Sequence, residues 1–284
     1  MSLTCPAYAK VNLYLHVTGK RDNGYHELDS LICFARTGDV LSFEAASDLS
    51  LDVTGPMAPL LDGDVEDNLV LRAARKLQTL CAIDQGARIT LEKHLPVAAG
   101  IGGGSGDAAA AIKGLCALWK IFPDPAGLQA LALSLGADVP ICLKAHAAHV
   151  GGVGEVITPV YPLPACWMVL VNPMVGLSTP AVFKARRGDF TPDMAMQGEY
   201  DFDTLVQELS ARGNDLMAPA IELVPVIETV LSALADQTGC ALARMSGSGA
   251  TCFGLFENEN DANLAVEQIK QAHPDWWVSH GEIF

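Results

Sequence analysis

The segment AAGIGGGSGDAAAA, residues 98–111, sets glycine, a poor helix former, directly against a run of alanine, the best one. Glycine reaches positive φ freely and carries no Cβ. Gly100, Gly102, Gly103 and Gly104 can therefore turn their N–H groups into one concavity that admits an anion. A helix starting near Ser105 adds its own unpaired N–H groups and about half a positive charge at that end. Together these make a phosphate cradle, in which the Ser105 hydroxyl suits a phosphate or Mg2+ and Asp107 reads as a first-turn acid favoured by the helix dipole. A P-loop would need G-K-[ST], which the loop lacks, and a dinucleotide fingerprint would need glycine where Ser105 stands. A plain glycine-rich turn into a helix remains the alternative. A second cluster, RMSGSGATCF at residues 244–253, runs straight into a strand pattern. By itself it reads as a tight turn or bulge; beside the first it is a candidate second wall of the same pocket.

These loops need elements to hold them. Alternation over residues 11–17, the turn GKRDNG, and apolar runs at 28–34, 40–43 and 49–53 predict a β-rich opening. Residues 67–80 space their apolar side chains three and four apart behind Asp67 or Asn68 as caps, which predicts an amphipathic helix. A strand at 87–92 leads into the glycine loop, and helices follow at 107–120 and 128–135. Past HVGGVGEV the pattern predicts strands at 168–172 and 250–256 and helices at 202–211 and 219–236. The whole reads as two α+β halves, 1–155 and 156–284.

With 284 residues, 50% of them hydrophobic and 18% charged, the chain can bury a substantial core. The net charge of −15 opposes binding to nucleic acid or an anionic membrane surface, so an anionic ligand must be held by local amides and a few placed cations. The N-terminus lacks a basic start followed by an apolar run, and no stretch of about 18 apolar residues occurs, which makes a cytoplasmic location the expectation. The eight cysteines are scattered without a C-x-x-C pair and read as buried, reduced thiols.

Three stretches taken together, AYAKVNLYLHVTGKRDNGYHEL, LPVAAGIGGGSGDAAAA and MSGSGATCFGLF, resemble the three motifs of the GHMP kinase superfamily. The segments LGADVPICL, STPAVFK and NDLMAPAI match as well, so the resemblance covers nearly the whole chain. It implies a two-domain α+β fold with an N-terminal ribosomal protein S5 domain 2-like half, which binds ATP, and a C-terminal ferredoxin-like half. ATP, with Mg2+ as its partner, would meet the substrate in a cleft between them. Because A-K-x-N-L is followed by G-K-R-x-x-G-Y-H-E-L, the resemblance further implies a small-molecule acceptor, a cytidine diphosphate ester of methylerythritol. That acceptor is phosphorylated on its 2-hydroxyl to give the 2-phosphate and ADP. Mevalonate-type, homoserine or sugar kinases are the nearest alternatives. A monomer or weak homodimer is expected.

Carried over position by position, the resemblance makes Lys10 and Asp138 catalytic. By sequence alone Asp138 would be a helix N-cap ahead of Pro140, and Lys10 a solvated charge beside a strand. Pro96, Val97, Ala98, Ala99, Gly100, Ile101, Gly102, Gly103, Gly104, Ser105 and Gly106 form the ATP loop. Asn12, two residues from Lys10 and so on the same strand face, would bond the methylerythritol hydroxyls. Tyr25 and Phe183 match the pair that stacks on cytosine, with His26 reading the base edge through its backbone. Ala98 and Ala99 stand where relatives often carry glycine, and Gly106 where a second serine is common. His146 and His149, read as a helical pair, have no third ligand nearby and are assigned to structure, with no resident metal expected. Trp276 and Trp277 are assigned to packing.

Overall fold

A computed structural model of the chain describes residues 3–196 and 198–284. It forms two compact units, each built from several chain segments. The first comprises Met1–Ala9, Gly38–Val97 and Gly102–Ala145; the second comprises Lys10–Thr37, Ala98–Ile101 and His146–Phe284.

In the first unit lie the start of β1 (Leu3–Lys20) and the end of β2 (His26–Ala46), two strands that pair with each other. Residues expected as separate strands at 28–34 and 40–43 are thus one continuous strand. β3 (Leu49–Thr54), α1 (Leu69–Cys81), β4 (Gly86–Glu92), α2 (Gly103–Trp119), α3 (Pro125–Leu135) and α4 (Val139–Lys144) follow. β4 runs antiparallel to β2, with Val40 opposite Glu92, and parallel to β3, with Leu49 opposite Ala87. Asn68 caps α1 by accepting from the Val70 amide at 2.9 Å, as its type predicts. The helix buries Val70, Leu71, Ala73, Ala74 and Leu77, and each large apolar side chain so covered contributes about 1.5–3 kcal/mol. Alanines 108–111 of α2 are all buried, so the helix packs closely along that side.

The second unit holds β5 (Ala148–Gly152) and β6 (Val156–Pro159), an antiparallel pair that extends the N-terminal half of β2. After it come β7 (Trp167–Asn172), α5 (Thr179–Ala185), α6 (Phe202–Ser210), α7 (Met217–Leu223), α8 (Val226–Ala235), β8 (Cys240–Met245), β9 (Cys252–Phe256), α9 (Glu259–Ala272) and β10 (Trp277–Glu282). Strands β10-β7-β9-β8 form an antiparallel sheet in the strand order of a ferredoxin-like domain. Its helices bury Ile227, Val230 and Leu234 from α8 and Ala262, Ala265 and Ile269 from α9 against it. The helix expected over 219–236 is broken in two. Pro225 lacks an N–H and pushes the residue before it out of helical space, and Val224 accordingly sits at φ −137°, ψ 82°.

The eight cysteines are thiols and not disulfides, and burial raises the pKa of Cys166 to about 12, which keeps it protonated and inert. Trp276 packs against the core of the second unit, as expected of it.

Candidate active site

The glycine loop alternates in handedness. Ala98, Gly100 and Gly102 have φ of 51°, 77° and 65°, with right-handed or extended residues between them. Such alternation turns successive amides toward one side and forms an anion nest. Gly102 is the left-handed N-cap of α2, and the first hydrogen bond of the helix runs from the Gly106 amide to the Gly102 carbonyl at 2.8 Å. The amides of Gly102, Gly103, Gly104 and Ser105 have no carbonyl one turn back, so the helix presents its donor-rich, positive end here. α2 therefore starts at Gly103, ahead of both the start expected near Ser105 and the periodic stretch at 107–120. Ala98 takes a left-handed φ despite its Cβ, at a cost of about 1–2 kcal/mol, where a glycine would relax.

In the second unit the RMSGSGATCF cluster does stand beside the loop. The Ser246 hydroxyl donates to the Gly100 carbonyl at 3.1 Å and accepts from the Asn12 amide at 3.1 Å. The Thr251 amide donates to the Ala99 carbonyl at 3.2 Å, and the Lys10 amide to the Ile101 carbonyl at 3.0 Å. Residues 98–101, 246–251 and the Lys10–Asn12 face of β1 are thus one hydrogen-bonded assembly. Asn214 ties it down by donating to the carbonyls of Met245 and Gly247, both at 2.8 Å. Arg244 is buried and donates to the carbonyls of Leu13, Leu209 and Arg212; burial lowers its pKa to about 10, still high enough to keep it charged.

Gly100 is the tightest point. A Cβ there would lie 2.7 Å from the Gly249 carbonyl oxygen and 2.8 Å from that of Ser246, on a backbone already at φ +77°. Gly100→Ala is expected to cost roughly 1–3 kcal/mol in denaturant unfolding. Gly104→Ala, whose Cβ meets only Leu69 Cδ1 at 3.5 Å, should cost nothing measurable. Equal stability of the two variants would contradict this geometry.

Lys10 and Asn12 are both 5% exposed, so Lys10 is not a solvated surface charge. Its Nζ donates to Asn12 Oδ1 at 3.0 Å. Asp138 lies in the first unit at the N-cap of α4, with Pro140 in the first turn, but its side chain makes no capping bond. Asp107 departs from the sequence reading. With α2 starting at Gly103 it lies beyond the first turn, and it is buried; its Oδ2 receives the Lys93 ammonium at 3.0 Å, while Lys93 also pairs with Asp39. Burial, with the neighbouring Asp39, pushes its carboxyl up to about 8 against the pull of Lys93.

Near the N-terminus of β2, Phe183 stacks on the His26 imidazole, with ring centres 5.0 Å apart and planes 21° from parallel. Tyr25 is 65% exposed. Burial and the positive charges of Lys20 and Arg186 lower the His26 pKa, so the ring in this stack is neutral at pH 7.

His146 and His149 are not a helical pair: His146 sits in the turn after α4, and His149 lies on β5 opposite Leu31. His149 instead bonds Asp29, which also accepts from Tyr14 and from the Met194 amide, both at 2.7 Å. Burial opposes the charge on Asp29. The hydrogen bond from His149, the nearby His16 ring, and the hydrogen bonds from Met194 and Tyr14 outweigh it and hold the carboxyl well below its usual range. Among the described residues one trio, Asp29, His149 and Asp193, could gather around an ion, with ligand atoms within 4.8 Å of one another. The oxygens of Asp29 are already committed to these donors, and Asp193 accepts from the Ala195 amide at 3.0 Å. Ser30, Asp29, Ser246 and Lys93 were not singled out from the sequence, because an isolated polar residue in a strand or loop carries no spacing signal.

The description "GHMP kinases N terminal domain" matches residues 68–146, and "GHMP kinases C terminal" matches residues 201–275. The chain is 52% identical over 284 residues, 99% of each chain, to a protein of Paramagnetospirillum magneticum named 4-diphosphocytidyl-2-C-methyl-D-erythritol kinase. It is 54% identical over 277 residues, 96% of each chain, to a protein of that name from Cereibacter sphaeroides. A crystal structure of 4-(cytidine 5'-diphospho)-2C-methyl-D-erythritol kinase superposes with a TM-score of 0.82 at 34% identity, covering 100% of this chain and 99% of that one.

Proposed function

This chain belongs to the GHMP kinases, and on that premise we propose that it transfers the γ-phosphoryl group of ATP to the 2-hydroxyl of 4-diphosphocytidyl-2-C-methyl-D-erythritol. The products are the 2-phosphate and ADP, and the step belongs to the non-mevalonate route to isoprenoid precursors. The observation that carries the reading is the full-length likeness, at 52% identity, to a relative named for that activity.

Phosphoryl transfer is mostly positioning and charge stabilisation. Residues 96–106 line the triphosphate, whose oxygens accept from the amides between Val97 and Ser105 at the N-terminus of α2, which accounts for a cradle built from backbone on a chain of net charge −15. Asp138 takes the proton of the acceptor hydroxyl, and Lys10 meets the oxygens of the transferring group. Asn12 bonds the methylerythritol hydroxyls. Tyr25 and Phe183 stack on the cytosine, worth about 1–3 kcal/mol per base, and backbone hydrogen bonds at His26 distinguish it from other bases. Among the loop's side chains the Ser105 hydroxyl suits Mg2+; the ion would be held mainly by phosphate oxygens and water and would neutralise charge between them. In this reading residues 1–155 are the ATP-binding half.

ADP release, coupled to a spectrophotometric readout, tests the proposal. It should require the cytidylylated substrate and stay at background with mevalonate, homoserine or free sugars. Turnover with one of these in its place, or ATP binding with no acceptor-dependent ADP release, would overturn it.

A further inference from the structure

The geometry points to Ser30 as a positioning residue that fixes the direction of the Asn12 amide and, through it, the place of the Lys10 ammonium. The inference rests on the proposed role of Lys10. Ser30 is fully buried on β2, and its hydroxyl meets two partners: the Tyr14 carbonyl at 2.5 Å and Asn12 Nδ2 at 2.8 Å. A carbonyl only accepts, so the single hydroxyl proton of Ser30 goes to Tyr14. Its oxygen then has only lone pairs to offer Asn12, which must present its NH2 group. The amide oxygen is left facing Lys10, whose ammonium is donor-only and bonds it at 3.0 Å.

The chain Tyr14 carbonyl, Ser30 hydroxyl, Asn12 amide, Lys10 ammonium therefore has one self-consistent arrangement. Flipping the Asn12 amide would set its NH2 against the ammonium and its oxygen against a hydroxyl whose proton is spent. Without the Ser30 hydroxyl the amide orientation is selected from the Lys10 side alone, and a buried NH2 loses the acceptor that holds the Asn12 side chain in place. The Asn12 backbone stays anchored to Ser246, so the effect falls on the side chains and not on the strand.

The consequence is kinetic. Ser30→Ala should lower kcat by about 10–100-fold, the scale of a misplaced catalytic group, with little change in KM for ATP and a cooperative unfolding transition retained. Ser30→Thr keeps the hydroxyl and should recover most of kcat. The decisive measurement is the cycle of Ser30→Ala, Asn12→Ala and the double variant. If Ser30 acts through Asn12, its removal costs no further turnover once Asn12 is alanine. Additive losses, or a Ser30→Ala enzyme with full kcat, would overturn the inference. Lys10→Ala assayed alongside separates the two levels. Full turnover in that variant removes the role of Lys10 itself, whereas a dead Lys10→Ala beside an unaffected Ser30→Ala removes only the relay.

Discussion

Asp138→Asn is expected to lower turnover by about 10²–10⁴-fold, the range that a positioned general base contributes, while ATP binding is little changed. The replacement keeps the shape of the side chain and removes its basicity. The first turn of α4 keeps Pro140, which presets it. Loss of activity with an unchanged melting curve can then be attributed to chemistry. The test combines single-turnover kinetics, so that the chemical step is observed, with calorimetric titration of a nonhydrolysable ATP analogue and a melting curve. Wild-type single-turnover rates would remove Asp138 from the role of base; a collapse of nucleotide binding in step with turnover would place it in ATP recognition instead.

The largest effect on stability is expected at Lys93. Lys93 is 2% exposed, and its ammonium is shared between Asp39 and Asp107; Asp39 also accepts from the amides of His94 and Leu95 at 2.6 and 2.8 Å. Lys93→Met would leave Asp39 buried without its cation, at a cost of about 3–5 kcal/mol in urea unfolding. Because Lys93 Nζ lies 3.2 Å from where a Cβ of Gly103 would stand, the start of α2 should loosen too, raising KM for ATP. Asp107→Asn should behave differently. The Asp107 carboxyl is raised from 3.8 to about 8, so between these values the folded protein keeps a proton that the unfolded chain has released. Stability from this group is therefore present at low pH and falls as pH rises from about 4 toward about 8. Asparagine has no proton to lose, so the fall in unfolding free energy from pH 5 to pH 8 should be smaller in Asp107→Asn than in the wild type. Identical pH dependence of the two proteins would show that Asp107 is ionised throughout that range. A Lys93→Met protein as stable as wild type would show that the triad contributes little.

What the sequence alone determined was local. Asn68 caps α1 because an Asn side chain can close a helix start wherever it occurs, and the strand at Gly86–Glu92 follows from alternation. The glycine loop follows from conformational freedom that belongs to glycine itself, and motifs spread along the chain were enough to reach the GHMP kinases. Where a strong local signal was overlooked, as with Pro225 dividing α7 from α8, the rule was still present in the sequence.

Tertiary structure decided the partnerships. Asp107 looked like a first-turn acid answering the helix dipole until α2 packed it beside Lys93 and Asp39, the latter paired to Lys93 across 54 positions of sequence. Lys10 looked like a surface charge until Asn12 and Ser30, itself 18 positions from Asn12, enclosed it. His149 passed for half of a helical pair until β5 delivered it to Asp29, 120 positions away. Backbone preferences are set by neighbours in the chain and can be read in order. The protonation, burial and hydrogen-bond direction of a polar side chain depend on groups brought beside it by folding, and no local pattern encodes which those will be.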